Sequence, residues 1–258
     1  MKKVVFALLT VFSFINLTFA AEIRVFAVGT LSYVIDELIK AYNQKYPNDT
    51  VKVTIGSAGK GYNQIINGAP YDIFLSADME FPEKLKKQGF TISDVKPYAI
   101  GTPIIWTRKD SGIDLSKGIN VVLDPNVKKI AIPNPDLALF GKAAKECLEY
   151  YKLWDKVKNK LVLAETVNQA LAFADSKASE IAFLSLQLVK YEKVENTGNY
   201  YVLPSECHSP VIFGYVLLKN ASENSERLEA AKRFFKFIKS PEAKSIFKKY
   251  DFILPEDK

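Results

Sequence analysis

Histidine is almost missing from this chain: His208 is the only one in 258 residues. That argues against histidine-rich metal centres and histidine-dependent catalytic triads, while carboxylate and thiolate chemistry stays open. Neither an HExxH nor a GxSxG pattern occurs. Cysteine is equally sparse, and the two that exist, Cys147 and Cys207, can pair only if the fold brings their Cα atoms within bridging distance. Basic runs interleaved with aromatics are missing too. The lysines and arginines fall singly along helical stretches (Lys84, Lys86, Lys87; Lys232, Arg233, Lys236, Lys239), as on a solvated face rather than in a nucleic-acid groove. Beyond the N-terminus no apolar span reaches the roughly 20 residues that a membrane helix needs.

The N-terminus itself is apolar behind a basic start. Met1-Lys2-Lys3 precedes VVFALLTVFSFINLTFA, which reads as a secretory signal over residues 1–20, cut before Ala21. Export of a released protein is the expectation, with the net charge falling from +6 to +4 on loss of Lys2 and Lys3. The remainder is long enough for one large domain or two lobes. Ile23 to Val28 is a strand, and Leu31, Val34, Ile35, Leu38, Ile39 and Tyr42 recur at helical spacing. Strand and helix then alternate: strands over 51–55 and 72–75, a helix over 81–88, strands over 130–132, 161–163 and 181–184, helices over 141–154, 167–174, 225–238 and 241–250. Two longer runs, 98–108 and 210–218, read as strands crossing between lobes. The expected architecture is α/β, with two mostly parallel sheets flanked by helices: lobe 1 from 21–100 and 215–258, lobe 2 from 101–214. Ligands in such sheets sit outside the strand carboxyl ends, where helices begin.

One such place is the glycine-rich stretch after the second strand, Gly56-Ser57-Ala58-Gly59-Lys60-Gly61. It is not a nucleotide phosphate loop, which needs four residues between its glycines and Ser or Thr after the lysine. Small side chains ahead of a helix start can expose backbone N–H groups to an oxyanion, and an ordinary glycine turn fits the segment equally well. Lys60 reads as an exposed helix residue, and Asp72 and Asp78 as turn caps. An enzyme using Asp72, Asp78 or Lys60 as acid or base is the rival from another class.

AVGTL at 27–31, GSAGK at 56–60, NGAPYDIFLSAD at 67–78, AIPNPDLALFGKAAKECL at 131–148, ETVNQAL at 165–171 and EIAFLSL at 180–186 together settle a resemblance. The chain resembles the periplasmic molybdate-binding proteins of ABC importers over nearly all of its mature length. The resemblance implies the two-lobed (type II) periplasmic binding protein fold, with a cleft at a two-strand hinge. It implies no catalysis and no cofactor: molybdate or tungstate is captured as a tetrahedral dianion and presented to a membrane permease, the metal having no direct protein ligand. The implied site residues are Thr30, Ser57, Ala58, Gly59, Phe140, Val167 and Ser185. Thr30 offers hydroxyl and N–H, or alternatively caps the next helix; Phe140 and Val167 offer backbone N–H groups, or alternatively are core residues. Ala58 stands where many relatives have serine, Leu139 where proline is usual, and Ser185 where some relatives have tyrosine. A periplasmic monomer is expected, and the alternative ligand is another oxyanion such as sulfate.

Overall fold

Residues 21–257 are described by a computed structural model, in which the alternation of apolar runs and amphipathic stretches becomes two five-stranded sheets. The expected signal segment 1–20 lies outside the described residues. The strands are β1 (Glu22–Val28), β2 (Thr50–Gly56), β3 (Ile73–Leu75), β4 (Lys96–Gly101), β5 (Pro103–Arg108), β6 (Ile130–Pro133), β7 (Leu161–Ala164), β8 (Ile181–Ser185), β9 (Gly198–Val202) and β10 (Val211–Leu217). The α-helices are α1 (Val34–Lys45), α2 (Ala58–Ile66), α3 (Glu80–Lys87), α4 (Leu139–Tyr150), α5 (Trp154–Val157), α6 (Val167–Asp175), α7 (Leu186–Val189), α8 (Glu192–Glu195), α9 (Ser225–Phe237) and α10 (Pro241–Lys249).

The first sheet runs β2-β1-β3-β10-β4 and the second β7-β6-β8-β5-β9. In each, the pairings of the first three strands are parallel and those of the fourth are antiparallel on both sides. Four of five strands therefore point the same way, with β10 or β5 reversed. The interior strand β1 is apolar and buried from Val25 to Val28, whereas the edge strand β2 alternates with solvent along most of its length.

The run 98–108 does cross between lobes, but as two strands: β4 belongs to the first sheet, β5 to the second, and Thr102 between them carries the turn. The second expected crossing needs correction. β10 pairs from Val211 onward with β4 and β3, so it lies wholly in the first sheet and the chain returns earlier than 214, through residues 203–210. Helix α1 also begins later than its apolar spacing suggests. Gly29–Leu31 forms a 3-10 turn instead. The expected helix 141–154 is split into α4 and α5, with Lys152 between them at a φ of 56°.

That return segment is tied down. Cys207, within it, is disulfide-bonded to Cys147 of α4 with the Cα atoms 4.5 Å apart, and the Ser209 N–H donates to Glu146 one residue away on α4 (2.7 Å). The bond closes a loop with a sequence separation of 60, so chain entropy alone assigns it about 4 kcal/mol. Reduction should lower the unfolding free energy measured in urea by an amount of that order, and a Cys147→Ala/Cys207→Ala double variant should reproduce the reduced protein.

Candidate oxyanion site

Because β1 and β2 are parallel and in register to Val28 and Gly56, the Gly29 turn and the Ser57 loop leave the sheet side by side. The second lobe repeats this with β6 and β7, whose last residues Pro133 and Ala164 are paired, ahead of α4 and α6. The carboxyl edges of both sheets face one another across the cleft. Between them lies a narrow cavity of about 20 Å³, to whose wall both lobes contribute.

Thr30, Ser57, Ala58, Phe140 and Val167 all line this cavity. Four helix starts supply them. Thr30 sits in the Gly29–Leu31 turn, Ala58 opens α2, Phe140 is the second residue of α4, and Val167 opens α6. The first N–H groups of a helix have no partner within it, so each start offers donors and the positive end of a dipole to an anion. No side chain on the cavity wall is ionisable. The capping reading of Thr30 does not hold, since α1 starts at Val34 behind Tyr33 with no side-chain cap. The core readings of Phe140 and Val167 do hold alongside their cavity positions: both are buried, and the Phe140 ring packs edge-on against Phe213.

Two residues of the expected set are placed differently. Gly59 is not on the wall; its N–H donates across the cleft to the Leu137 carbonyl at 3.0 Å, so it joins the lobes rather than facing the cavity. Ser185 is fully buried at the end of β8, where its hydroxyl accepts from Leu188 N–H and caps the short α7. It too is off the wall. Conversely, Thr166 lines the cavity and is absent from the set implied by resemblance. Its signal was legible, a threonine before a helix start; its hydroxyl accepts from Gln169 N–H at 3.2 Å. Ser57 caps α2 in the same way, accepting from Lys60 N–H at 3.3 Å. A hydroxyl that accepts from its helix keeps its own proton to give elsewhere.

Further contacts close the cleft around the cavity. Lys60 pairs with Glu165 at 2.9 Å, both partly exposed. Asn168 donates to Ser32 Oγ (2.8 Å), and Ser32 Oγ in turn donates to the Gly29 carbonyl (2.5 Å). Tyr33 stacks on Tyr191 with ring centroids 3.9 Å apart.

The carboxylates of the rival enzyme reading lie elsewhere. Asp72 is buried at the start of β3, held by Arg24 N–H, the Asn220 amide and Arg227. Asp78 accepts from Phe81 N–H at 2.8 Å and from the Ser76 hydroxyl at 3.1 Å, and burial pushes it up to about 6. Its folded pKa exceeds its unfolded one, so the folded state holds the proton more tightly. Its contribution to stability is therefore complete in acid and is lost as pH rises from about 4 to about 6, by up to about 3 kcal/mol. Asp78→Asn should remove that slope, and the difference between variant and wild type in urea midpoint should grow in the variant's favour across this window.

With this geometry in view, comparison with known proteins is specific. The family model described as bacterial extracellular solute-binding protein matches residues 23–253. The chain is 32% identical to the molybdate-binding protein ModA of Rhodobacter capsulatus over 79% of its own length and 77% of that protein's. It is 30% identical to ModA of Azotobacter vinelandii over 90% of both. The solved structure of the Azotobacter vinelandii periplasmic molybdate-binding protein superimposes with a TM-score of 0.82, covering 90% of this chain and 99% of that one.

Proposed function

The chain belongs to the bacterial extracellular solute-binding proteins and, among them, to the molybdate-binding family; from that premise we propose that it captures molybdate or tungstate between its lobes and hands it to an ABC permease. The ligand is cargo, bound and released unchanged, and the protein acts as a monomer outside the cytoplasmic membrane, in the periplasm, without nucleic acid. One observation carries this reading: a cavity between the lobes whose wall holds three hydroxyls, Thr30, Ser57 and Thr166, and four helix starts, but no charged side chain.

Such a wall suits a fully deprotonated tetrahedral dianion. Each N–H or O–H meets an oxygen lone pair, and charge-assisted bonds of this kind are about twice as strong as neutral ones. Hydrogen phosphate brings a proton that needs an acceptor, and leaving it unpaired costs about 1–3 kcal/mol. Sulfate is smaller, so donors fixed on two lobes reach it less completely. Because donors come from both lobes, the ligand favours the closed form, and the connections at Thr102 and at Pro210, beyond the tethered Cys207 and Ser209, are where the lobes can pivot.

Calorimetry on the protein lacking residues 1–20 tests this. Molybdate and tungstate should each bind at micromolar concentration or tighter, sulfate weakly and phosphate not at all. Silence toward both metal oxyanions overturns the reading.

A further inference from the structure

Among the residues implied by resemblance, Ser185 is the only side chain of the second lobe offered as a donor, and it is buried as a helix cap off the cavity wall. Phe140 and Val167 give that lobe backbone donors alone. Yet one hydroxyl-bearing residue of the second lobe does line the cavity, Thr166. We propose that Thr166 is an oxyanion-binding residue, supplying the side-chain donor of the second lobe in place of Ser185; this rests on the reading of the cavity as an oxyanion site.

Three observations converge on it. Thr166 Oγ1 accepts from Gln169 N–H, so the hydroxyl proton is directed away from α6. The neighbouring N–H groups at the start of α6 have no partner within the helix, so an anion drawn to the dipole lies beside this hydroxyl. Across the cleft, the side chain stands against the turn that carries Thr30: a Cβ placed on Gly29 would be 3.2 Å from Thr166 Cβ. Thr30 and Thr166 thus bring hydroxyls from opposite lobes to adjoining parts of one wall. Because Thr166 meets that turn only when the lobes are together, its bond to the ligand adds to the preference for closure.

The test is molybdate calorimetry on wild type and on Thr166→Ser, Thr166→Val, Thr166→Asp and Ser185→Ala, with thermal melting of each unliganded protein alongside. Serine keeps both the cap and the donor, and affinity should stay within about threefold of wild type. Valine loses the donor, and binding should weaken by about 10- to 100-fold. Aspartate keeps an acceptor for Gln169 N–H but turns the donor into a negative charge, so the unliganded melting point should hold while binding disappears. Ser185→Ala should melt lower yet bind with nearly the wild-type affinity. Undiminished binding by the valine or aspartate variant, or a loss in Ser185→Ala as large as in Thr166→Val, overturns the assignment of Thr166 alone. A wild type that binds neither molybdate nor tungstate overturns the cavity reading and this inference with it.

Discussion

Ala58→Asp is expected to abolish oxyanion binding. In the unliganded protein the same charge has two opposed effects, a favourable position at a helix start and the cost of burying a carboxylate at a residue only 2% exposed. Ala58 opens α2 and lies on the cavity wall, so a carboxylate there sits at the positive end of the helix, where an acidic side chain contributes about 0.3–1 kcal/mol. It also occupies the region meant for the ligand. One negative charge about 5 Å from a dianion, at an effective dielectric near 20, is repelled by roughly 6 kcal/mol, which corresponds to at least a thousandfold loss in affinity. Calorimetry with molybdate beside thermal melting measures both halves. Retained binding would mean that the α2 start does not face the anion. The opposite change, Ala58→Ser, adds a hydroxyl donor to the same wall and should tighten binding by up to about tenfold.

The second large effect concerns closure. A Cβ on Gly59 would stand 2.8 Å from Leu137 Cδ2 and 3.1 Å from its backbone Cα, and one on Gly29 would meet Asn168 Oδ1 at 2.6 Å. These neighbours belong to the opposite lobe, so the clash exists only when the cleft is shut. Gly59→Ala and Gly29→Ala should each weaken molybdate binding by at least about tenfold, because the ligand must then force apart what it normally draws together. Within the first lobe the added methyl at Gly59 stands 3.2 Å from Phe81 Cζ, a side chain that must give slightly. For Gly59, inside α2, alanine improves helix propensity by up to about 1 kcal/mol, so the unliganded melting temperature should hold or rise. Small-angle scattering should show the variants remaining open at molybdate concentrations that close the wild type. A variant that closes and binds normally would place the pivot of the motion elsewhere.

Much of this arrangement was legible before any coordinates. The strands β1, β2, β3, β6, β7 and β8 follow from short apolar runs, and the helices after β1, β2, β6 and β7 from the spacing of their apolar positions. What was hidden depends on tertiary contact. β9 was missed because Gly-Asn-Tyr-Tyr-Val is an edge strand whose burial pattern lacks a clean apolar face. Gly59 looked like a ligand donor, since nothing in Gly-Ser-Ala-Gly announces that Leu137, from the opposite lobe, will claim its N–H. Ser185 and Thr166 are both hydroxyl caps at helix starts, and only the fold decides that one is sealed under α7 while the other borders the cavity. The pairing of Cys147 with Cys207 likewise became decidable once the return segment was seen to run beside α4.

The placement of β10 between β3 and β4 has a bearing on how the chain is assembled in time. Every strand of the second sheet comes from one uninterrupted stretch, Pro103 to Val202, and can associate as soon as that stretch exists. The first sheet stays divided until residues 211–217 arrive, leaving β4 detached from its neighbours. A growing polypeptide can therefore finish its middle portion before β10 joins β4 to the rest of the first sheet, an order in which contacts distant along the chain make the slow step.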